Sequence, residues 1–226
     1  MDFLKKIGSA MLKGLKRIQY NSPVVLTYSL AALAVMLIGD FTGNKSTMLL
    51  FADYRSSFSD PLAYFRVFGH VLGHANFEHF FNNFLLILLI GPMLEEKYGS
   101  KIIVCLIAFT AVVTGVIHLV ISKDALLGAS GVVFMFILLA SFTNLRKGRI
   151  PLTLLLCIFI FIGREFVDGI SGANAGISQA AHIVGGVCGA AFGFFINRKS
   201  LLGSEDKPSE ESGDEVRETE GEDVKA

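Results

Sequence analysis

The 226-residue sequence is poor in charged residues and in cysteine, and it contains no tryptophan. Only 18% of the residues are charged, against about 25% in an ordinary soluble domain, and 52% are hydrophobic. Because the hydrophobic residues form long runs, the composition argues against a soluble protein and indicates an integral membrane protein. Cys105, Cys157 and Cys188 have no metal-type or redox-type spacing, so we expect small buried side chains without disulfides.

The charge is distributed unevenly along the chain, although the formal net charge is zero. Residues 203–226 contain ten acidic and three basic residues, which predicts an acidic disordered cytoplasmic tail at 199–226. This tail either binds a cytosolic partner or only keeps the chain end soluble. Residues 1–22 lack the pattern of a signal peptide and show apolar residues at helical spacing among basic ones. They predict a basic amphipathic cytoplasmic helix on the inner leaflet, with a soluble packed helix as the alternative.

Six apolar segments approach the length of about 20 residues that a membrane span requires. They are Pro23–Gly39, Phe80–Leu94, Ile102–Ile121, Ser130–Phe142, Ile150–Gly163 and Ala173–Ile196. Basic residues precede the first segment and follow the second, fourth and sixth, so the positive-inside rule predicts that both termini are cytoplasmic. The expected fold class is therefore an all-α membrane protein, with a six-span domain at 23–198. The long loop Asp40–Asn76 is apolar enough to be structured and partly embedded.

A serine and a histidine lie at a similar predicted depth in the fourth and sixth spans. Ser130 is flanked by Gly128 and Gly131, which leave space around its hydroxyl. His182 shares a helical face with three later glycines, a spacing that lets two helices approach closely. These glycines are Gly185, Gly189 and Gly193. If the sixth span packs against the fourth, His182 meets Ser130.

These side chains are suited to acyl transfer. His182 could take the proton of Ser130 and make it a nucleophile. His79 and Asn83 are four residues apart on one helical face, and with the N–H of Ser130 they could stabilise an oxyanion. Packing alone would also explain the serine and the glycines, and His70 and His74 could instead be metal ligands or part of an ion path. We expect His118 to be a hydrogen-bonded interfacial histidine.

The motifs "HANFEHFFNN", "GASG" and "AHIVGGVCG" resemble, in this order, those of the rhomboid family of intramembrane serine proteases. The resemblance covers roughly residues 23–196 and is to bacterial members with a six-span core. It implies a rhomboid bundle, a Ser130–His182 catalytic dyad and an oxyanion site at His79, Asn83 and Ser130. Asp168 lies in an outer loop, where a solvated charge is expected rather than the acid of a triad.

The resemblance also implies supporting roles for residues around the dyad. They are Arg66, His70, His74, Glu95, Gly128 and Phe134. Two positions depart from the family pattern. Phe65 replaces a tryptophan before the arginine, and Phe134 replaces a tyrosine whose ring packs on the catalytic histidine. Residues 150–176 resemble a mobile gate and cap.

The expected function is cleavage of transmembrane segments in single-span membrane proteins, in the plasma membrane and without a cofactor or metal. The expected partners are such substrates and membrane lipids, and nucleic acid is not among them. One alternative is a non-catalytic rhomboid-like protein that binds transmembrane helices. The other is a histidine-lined membrane transporter.

Overall fold

The computed structural model describes residues 19–57, 59–142 and 179–202, together with isolated positions between 152 and 163. Over these residues the chain is helical and contains no β-strand beyond one isolated bridge. The elements are α1 Pro23–Phe41, α2 Lys45–Leu50, α3 Pro61–Gly69, a 3-10 helix His70–Leu72, α4 Phe77–Tyr98, α5 Ser100–Ile121, α6 Ser130–Phe142 and α7 Gln179–Leu202. The all-α prediction is thus confirmed for the described part of the chain.

Four of these helices are long and apolar enough to cross a membrane. They are α1, α4, α5 and the Ala180–Arg198 part of α7, while α6 is a shorter apolar helix. The fifth predicted span, 150–163, falls outside the described residues except at isolated positions, so the count of six spans stays a prediction. Most of the predicted N-terminal helix and acidic tail also lies outside the described residues.

The outer faces of the long helices carry exposed apolar side chains, as expected where lipid replaces water. The side chain of Cys105 is exposed on the outer face of α5, so the prediction that it is buried is wrong. Cys188 of α7 is buried as predicted, and both are free thiols. Cys157 lies outside the described residues.

Helix α6 lies at the centre of the bundle and packs against α7 through bare backbone. A Cβ atom on Gly185 would clash with the carbonyl oxygen of Gly131, and one on Gly189 would clash with that of Met135. A Cβ atom on Gly193 would clash with the side chain of Phe142. The close approach predicted from the glycine spacing is therefore observed, and its partner is the predicted fourth span.

Glu95, near the end of α4, fixes the beginning of α1. Its carboxylate accepts hydrogen bonds of 3.0 Å from the N–H groups of Val24 and Val25. It also accepts a bond of 2.7 Å from the hydroxyl of Ser100. An anion at a helix N-terminus satisfies donors that have no partner within the helix. Glu95 therefore couples the starts of α1 and α5 to the end of α4.

Residues 42–57 and 59–76, called here the first loop, form a structured connection between α1 and α4. The guanidinium of Arg66 is buried and forms an ion pair with Asp60. It also donates to the Ser56 hydroxyl and the Leu49 carbonyl and lies 4.3 Å from the centre of the Tyr54 ring. These contacts compensate the buried charge within the loop, although Nε of Arg66 has no hydrogen-bond partner among the described residues, so the loop can keep one conformation. Phe65 packs edge-on against Phe51 and Phe68.

Candidate active site

The residues before Ser130 are held by main-chain hydrogen bonds to the first loop. Residues 122–129, called here the serine loop, connect α5 to α6. Asp53 and Leu126 exchange two antiparallel hydrogen bonds of 2.8 Å. Two residues later, the N–H of Gly128 donates to the carbonyl of His70 at 2.9 Å. The first loop therefore sets the position from which α6 begins at Ser130.

His74 adds a side-chain bond to the same loop. Its Nδ1–H donates to the Leu72 carbonyl at 3.2 Å, and its Nε2 accepts from the N–H of Ala129 at 3.3 Å. This pattern requires the neutral imidazole. Burial lowers the pKa of His74 to about 3, with a smaller contribution from His79, so the ring is neutral near pH 7. Both nitrogens are occupied by protein groups, which leaves neither for a metal.

His70 connects the first loop to α5. Its Nε2–H donates to the Ala111 carbonyl at 3.1 Å, and the ring is buried. Burial lowers the pKa of His70 to about 4. Among the described residues no group of three or more histidine, cysteine or acidic side chains could hold a metal ion. The contacts of His70 and His74 are those of positioning residues.

A cavity of about 340 Å³ lies between α4, α6 and α7. Its described lining contains all four residues that the sequence assigns to catalysis and to the oxyanion. The complete described lining is Asn76, Glu78, His79, Asn82, Asn83, Leu86, Ser130, Val133, Phe134 and His182. The structure thus brings Ser130 and His182 to the wall of one polar cavity.

Two larger, mostly apolar cavities lie between α1 and α5 and between α1 and α4. A third cavity, of about 490 Å³, lies beside Glu95 at the start of α1. The described linings of these three cavities contain no histidine, so they lack the groups for this chemistry.

The ring of Phe134 packs against His182 at the cavity wall. His182 is 8% exposed, and the Phe134 ring lies 4.7 Å from the imidazole centre. Phe134 is four residues after Ser130, so both side chains lie on one face of α6. The aromatic contact with His182 that the resemblance implies for this position is therefore made by phenylalanine.

Gly128 is required for two reasons. Its φ of +122° is a backbone conformation that residues with a side chain rarely adopt. In addition, a Cβ atom at this position would lie 2.6 Å from Cε1 and 2.7 Å from Nε2 of His79. The absence of a side chain therefore lets the His79 imidazole lie directly against the serine loop.

Several hydrogen-bond donors line the cavity that contains Ser130. His79 and Asn83 line the cavity from α4, and Asn83 is 6% exposed. The first intrahelical bond of α6 runs from the N–H of Val133 to the carbonyl of Ala129. The N–H of Ser130 therefore lies at the helix N-terminus, where backbone donors and the helix dipole favour negative charge.

The position of Asp53 against the serine loop was not predicted from the sequence. The carboxyl is 1% exposed, and neither oxygen has a hydrogen-bond partner among the described residues. Burial raises its pKa to about 6, although nearby Arg66 acts in the opposite direction. The sequence feature that could have identified this residue is a single aspartate directly after the apolar run "MLLFA". His118 lies in the last turn of α5, where it is buried and donates to the Asp124 carbonyl at 2.8 Å, so the predicted hydrogen-bonded histidine is observed. Asp168 lies outside the described residues.

The helical bundle and its polar cavity define a class of integral membrane proteins, and comparison with known proteins identifies the family. A family model described as the Rhomboid domain matches residues 61–199, more than half of the chain. The chain therefore belongs to the rhomboid family. The Rhomboid protease GlpG of Haemophilus influenzae is 24% identical over 177 residues, which are 76% of this chain and 91% of that protein.

Proposed function

We propose that this protein is an intramembrane serine endopeptidase that cleaves the transmembrane segments of single-span membrane proteins. Ser130 is the nucleophile and His182 the general base. The observation that supports this best is that both residues line one cavity together with His79 and Asn83. Membership of the rhomboid family, and a relative whose name describes a protease, support the same reaction class.

In the proposed reaction, His182 takes the proton of the Ser130 hydroxyl while the oxygen attacks the scissile carbonyl carbon. The negative charge that develops on the carbonyl oxygen is stabilised by His79, Asn83 and the N–H of Ser130. Protonated His182 then gives its proton to the leaving amine, and the peptide bond breaks. A water molecule, deprotonated by the same histidine, hydrolyses the acyl-enzyme and restores the serine.

The membrane arrangement is also part of the proposal. Residues 23–198 form a six-span catalytic domain in the plasma membrane, with both termini cytoplasmic. Residues 1–22 lie on the inner leaflet, and residues 199–226 form an acidic cytoplasmic tail. The cavity then opens toward the outer surface, which supplies the water that hydrolysis needs. Substrates enter laterally past residues 150–176.

Replacement of the nucleophile tests the proposal directly. Ser130→Ala is expected to lower cleavage of a single-span reporter by at least about 10³-fold, because no group remains to form the acyl-enzyme. Ser141→Ala is the matched control. That serine is also on α6, donates its hydroxyl to the Ile137 carbonyl and is absent from the cavity lining. Full activity of Ser130→Ala, with the cut mapped by mass, would remove Ser130 from the mechanism.

Labelling by a fluorophosphonate distinguishes an enzyme from a non-catalytic rhomboid-like protein. An activated serine reacts with this probe, and a serine that only packs between helices does not. We expect the wild type to be labelled and His182→Ala and Ser130→Ala to remain unlabelled. If the folded wild type binds transmembrane helices and is not labelled, the protein is a binder rather than a protease.

A further inference from the structure

We propose that Glu78 gives this protein a preference for substrates with a lysine or arginine close to the cut bond. The proposal rests on the proposed protease function and adds a property of the substrate to it. It concerns a residue that takes no part in the transfer of protons or the stabilisation of the oxyanion.

The charge of the cavity wall is the first argument. Among the described lining residues, Glu78 is the single member of the aspartate, glutamate, lysine and arginine group. The rest of that lining consists of amides, imidazoles, a hydroxyl and apolar groups. A chain bound in the cavity therefore meets one full charge on this wall, and that charge is negative. Complementary charges favour one substrate, and like charges disfavour its competitor.

The position of Glu78 on α4 is the second argument. Glu78, Asn82 and Leu86 follow one another at intervals of four residues, so they form one row along the helix. His79 and Asn83 form the adjacent row, one residue further along the chain. A peptide whose carbonyl oxygen is bound by His79 and Asn83 therefore runs beside the row that contains Glu78. The carboxylate lies at the end of this row where α4 begins.

The availability of the carboxylate is the third argument. Glu78 is exposed, and the described residues include no ion pair or hydrogen bond to its side chain. An acidic residue in the first turn also stabilises its helix, which is the structural explanation for Glu78. However, Asn76 already caps α4 by accepting the N–H of His79 at 2.8 Å. The substrate preference must therefore be tested with a measurement that helix stability does not change.

The experiment uses single-span reporters that differ by lysine, glutamine or glutamate at one position, scanned through each position flanking the cut. The measured quantity is the ratio of kcat/KM for the lysine and glutamate forms in one preparation. This ratio is independent of the fraction of folded enzyme. At the positions nearest Glu78 we expect the wild type to favour lysine by about two- to fivefold, the range of an exposed ion pair.

Two variants and one control decide the result. Glu78→Gln should bring the ratio close to one, and Glu78→Lys should invert it. Glu96→Gln should leave the ratio unchanged, because Glu96 is an exposed acid at the other end of α4 and outside the cavity lining. The preference of the wild type should also decrease at high salt.

The proposal is overturned if the wild type cleaves the lysine and glutamate forms equally at every position, or if Glu78→Lys leaves the ratio unchanged. In either case both reporters are still cleaved, so the protease function stands. If Ser130→Ala cleaves both reporters as fast as the wild type, the proposed mechanism has failed, whatever the effect of Glu78.

Discussion

Two sides of the cavity are positioned by different kinds of contact. The serine side is the serine loop with Ser130, and the histidine side is His182 on α7. The serine loop is held by directional hydrogen bonds from Asp53, His70 and His74 of the first loop. His182 is carried by α7, which packs on α6 through glycine backbone with no polar contact needed at the glycines. Geometry on the first side depends on donors and acceptors, and on the second side it depends on side-chain volume. Substitutions can therefore disturb one side at a time.

Among the substitutions that disturb only one side, the largest effect is expected at Gly128, where a side chain disturbs the serine loop directly. Gly128→Ala strains a backbone at φ +122° and displaces His79, so we expect kcat/KM to fall by about 10²- to 10³-fold, as when an oxyanion donor is lost. Gly43→Ala is the control, because it has φ +60° with nothing near its Cβ position. Equal losses in both variants would show that His79 is not the cause.

Gly185→Ala is expected to disturb the histidine side through volume alone. The added methyl group meets the main chain of Gly131, which cannot rotate away, so α6 and α7 must separate. We expect a loss of about 3 kcal/mol in stability, at the upper end for overpacking, together with lower activity. Thermal unfolding in detergent measures the first and reporter cleavage the second. Val187→Ala is the control because Val187 is an exposed residue of the same helix; equal stability of both variants would contradict the tight packing.

His74→Phe is expected to affect the serine side by removing two side-chain hydrogen bonds, the one to the Leu72 carbonyl and the one from the N–H of Ala129. The N–H of Ala129 then stays buried without its partner, which costs about 1 to 3 kcal/mol. We expect a loss of about tenfold in kcat/KM because the serine loop shifts. His74→Gln retains a side-chain acceptor and should recover part of the activity. If glutamine is no better than phenylalanine, the hydrogen bond is not what matters at this position.

The smallest effect is expected at Asp53 and depends on pH. The native pKa is raised to about 6 from 3.8, mainly by burial, so the native state binds the proton more tightly than the unfolded state. This stabilisation is complete below about pH 4 and is lost as the pH rises through 6. Asp53→Asn should therefore be more stable than the wild type at pH 8, by about 1 kcal/mol, and lose this advantage near pH 4. Melting temperatures measured at both pH values would contradict this if the difference between the proteins stayed constant.

The apolar runs predicted the membrane helices well but their bounds less well. Helix α4 runs from Phe77 to Tyr98 rather than from 80 to 94. The additional turns contain charged residues, which an apolar pattern cannot include, and the amide of Asn76 determines where the helix begins. Helix α1 continues to Phe41 for the same reason, past Asp40.

Half of the described cavity lining could be predicted, because these residues carry recognisable side chains at a recognisable spacing. They are His79, Asn83, Ser130, Phe134 and His182. The glycine intervals after His182 also predicted a close helix contact, and α6 provides it. The attachment of the serine loop could not be predicted in the same way. Asp53 and Leu126 pair through main-chain atoms 73 residues apart, and such bonds leave no pattern in the side chains. The exposure of Cys105 was missed because an apolar sequence does not show which helix face lies toward lipid.

The main-chain pairing of the serine loop has a consequence for sequence variation. Main-chain atoms hold the loop at Asp53 and at His70, so most of its residues can change without moving the segment, provided that Leu126 is not replaced by proline and that Gly128 is kept. Lys123 and Asp124 are both exposed, so related proteins can carry other surface side chains at these positions. A membrane protein of this design can thus change the residues around its polar cavity while the cavity itself keeps its shape.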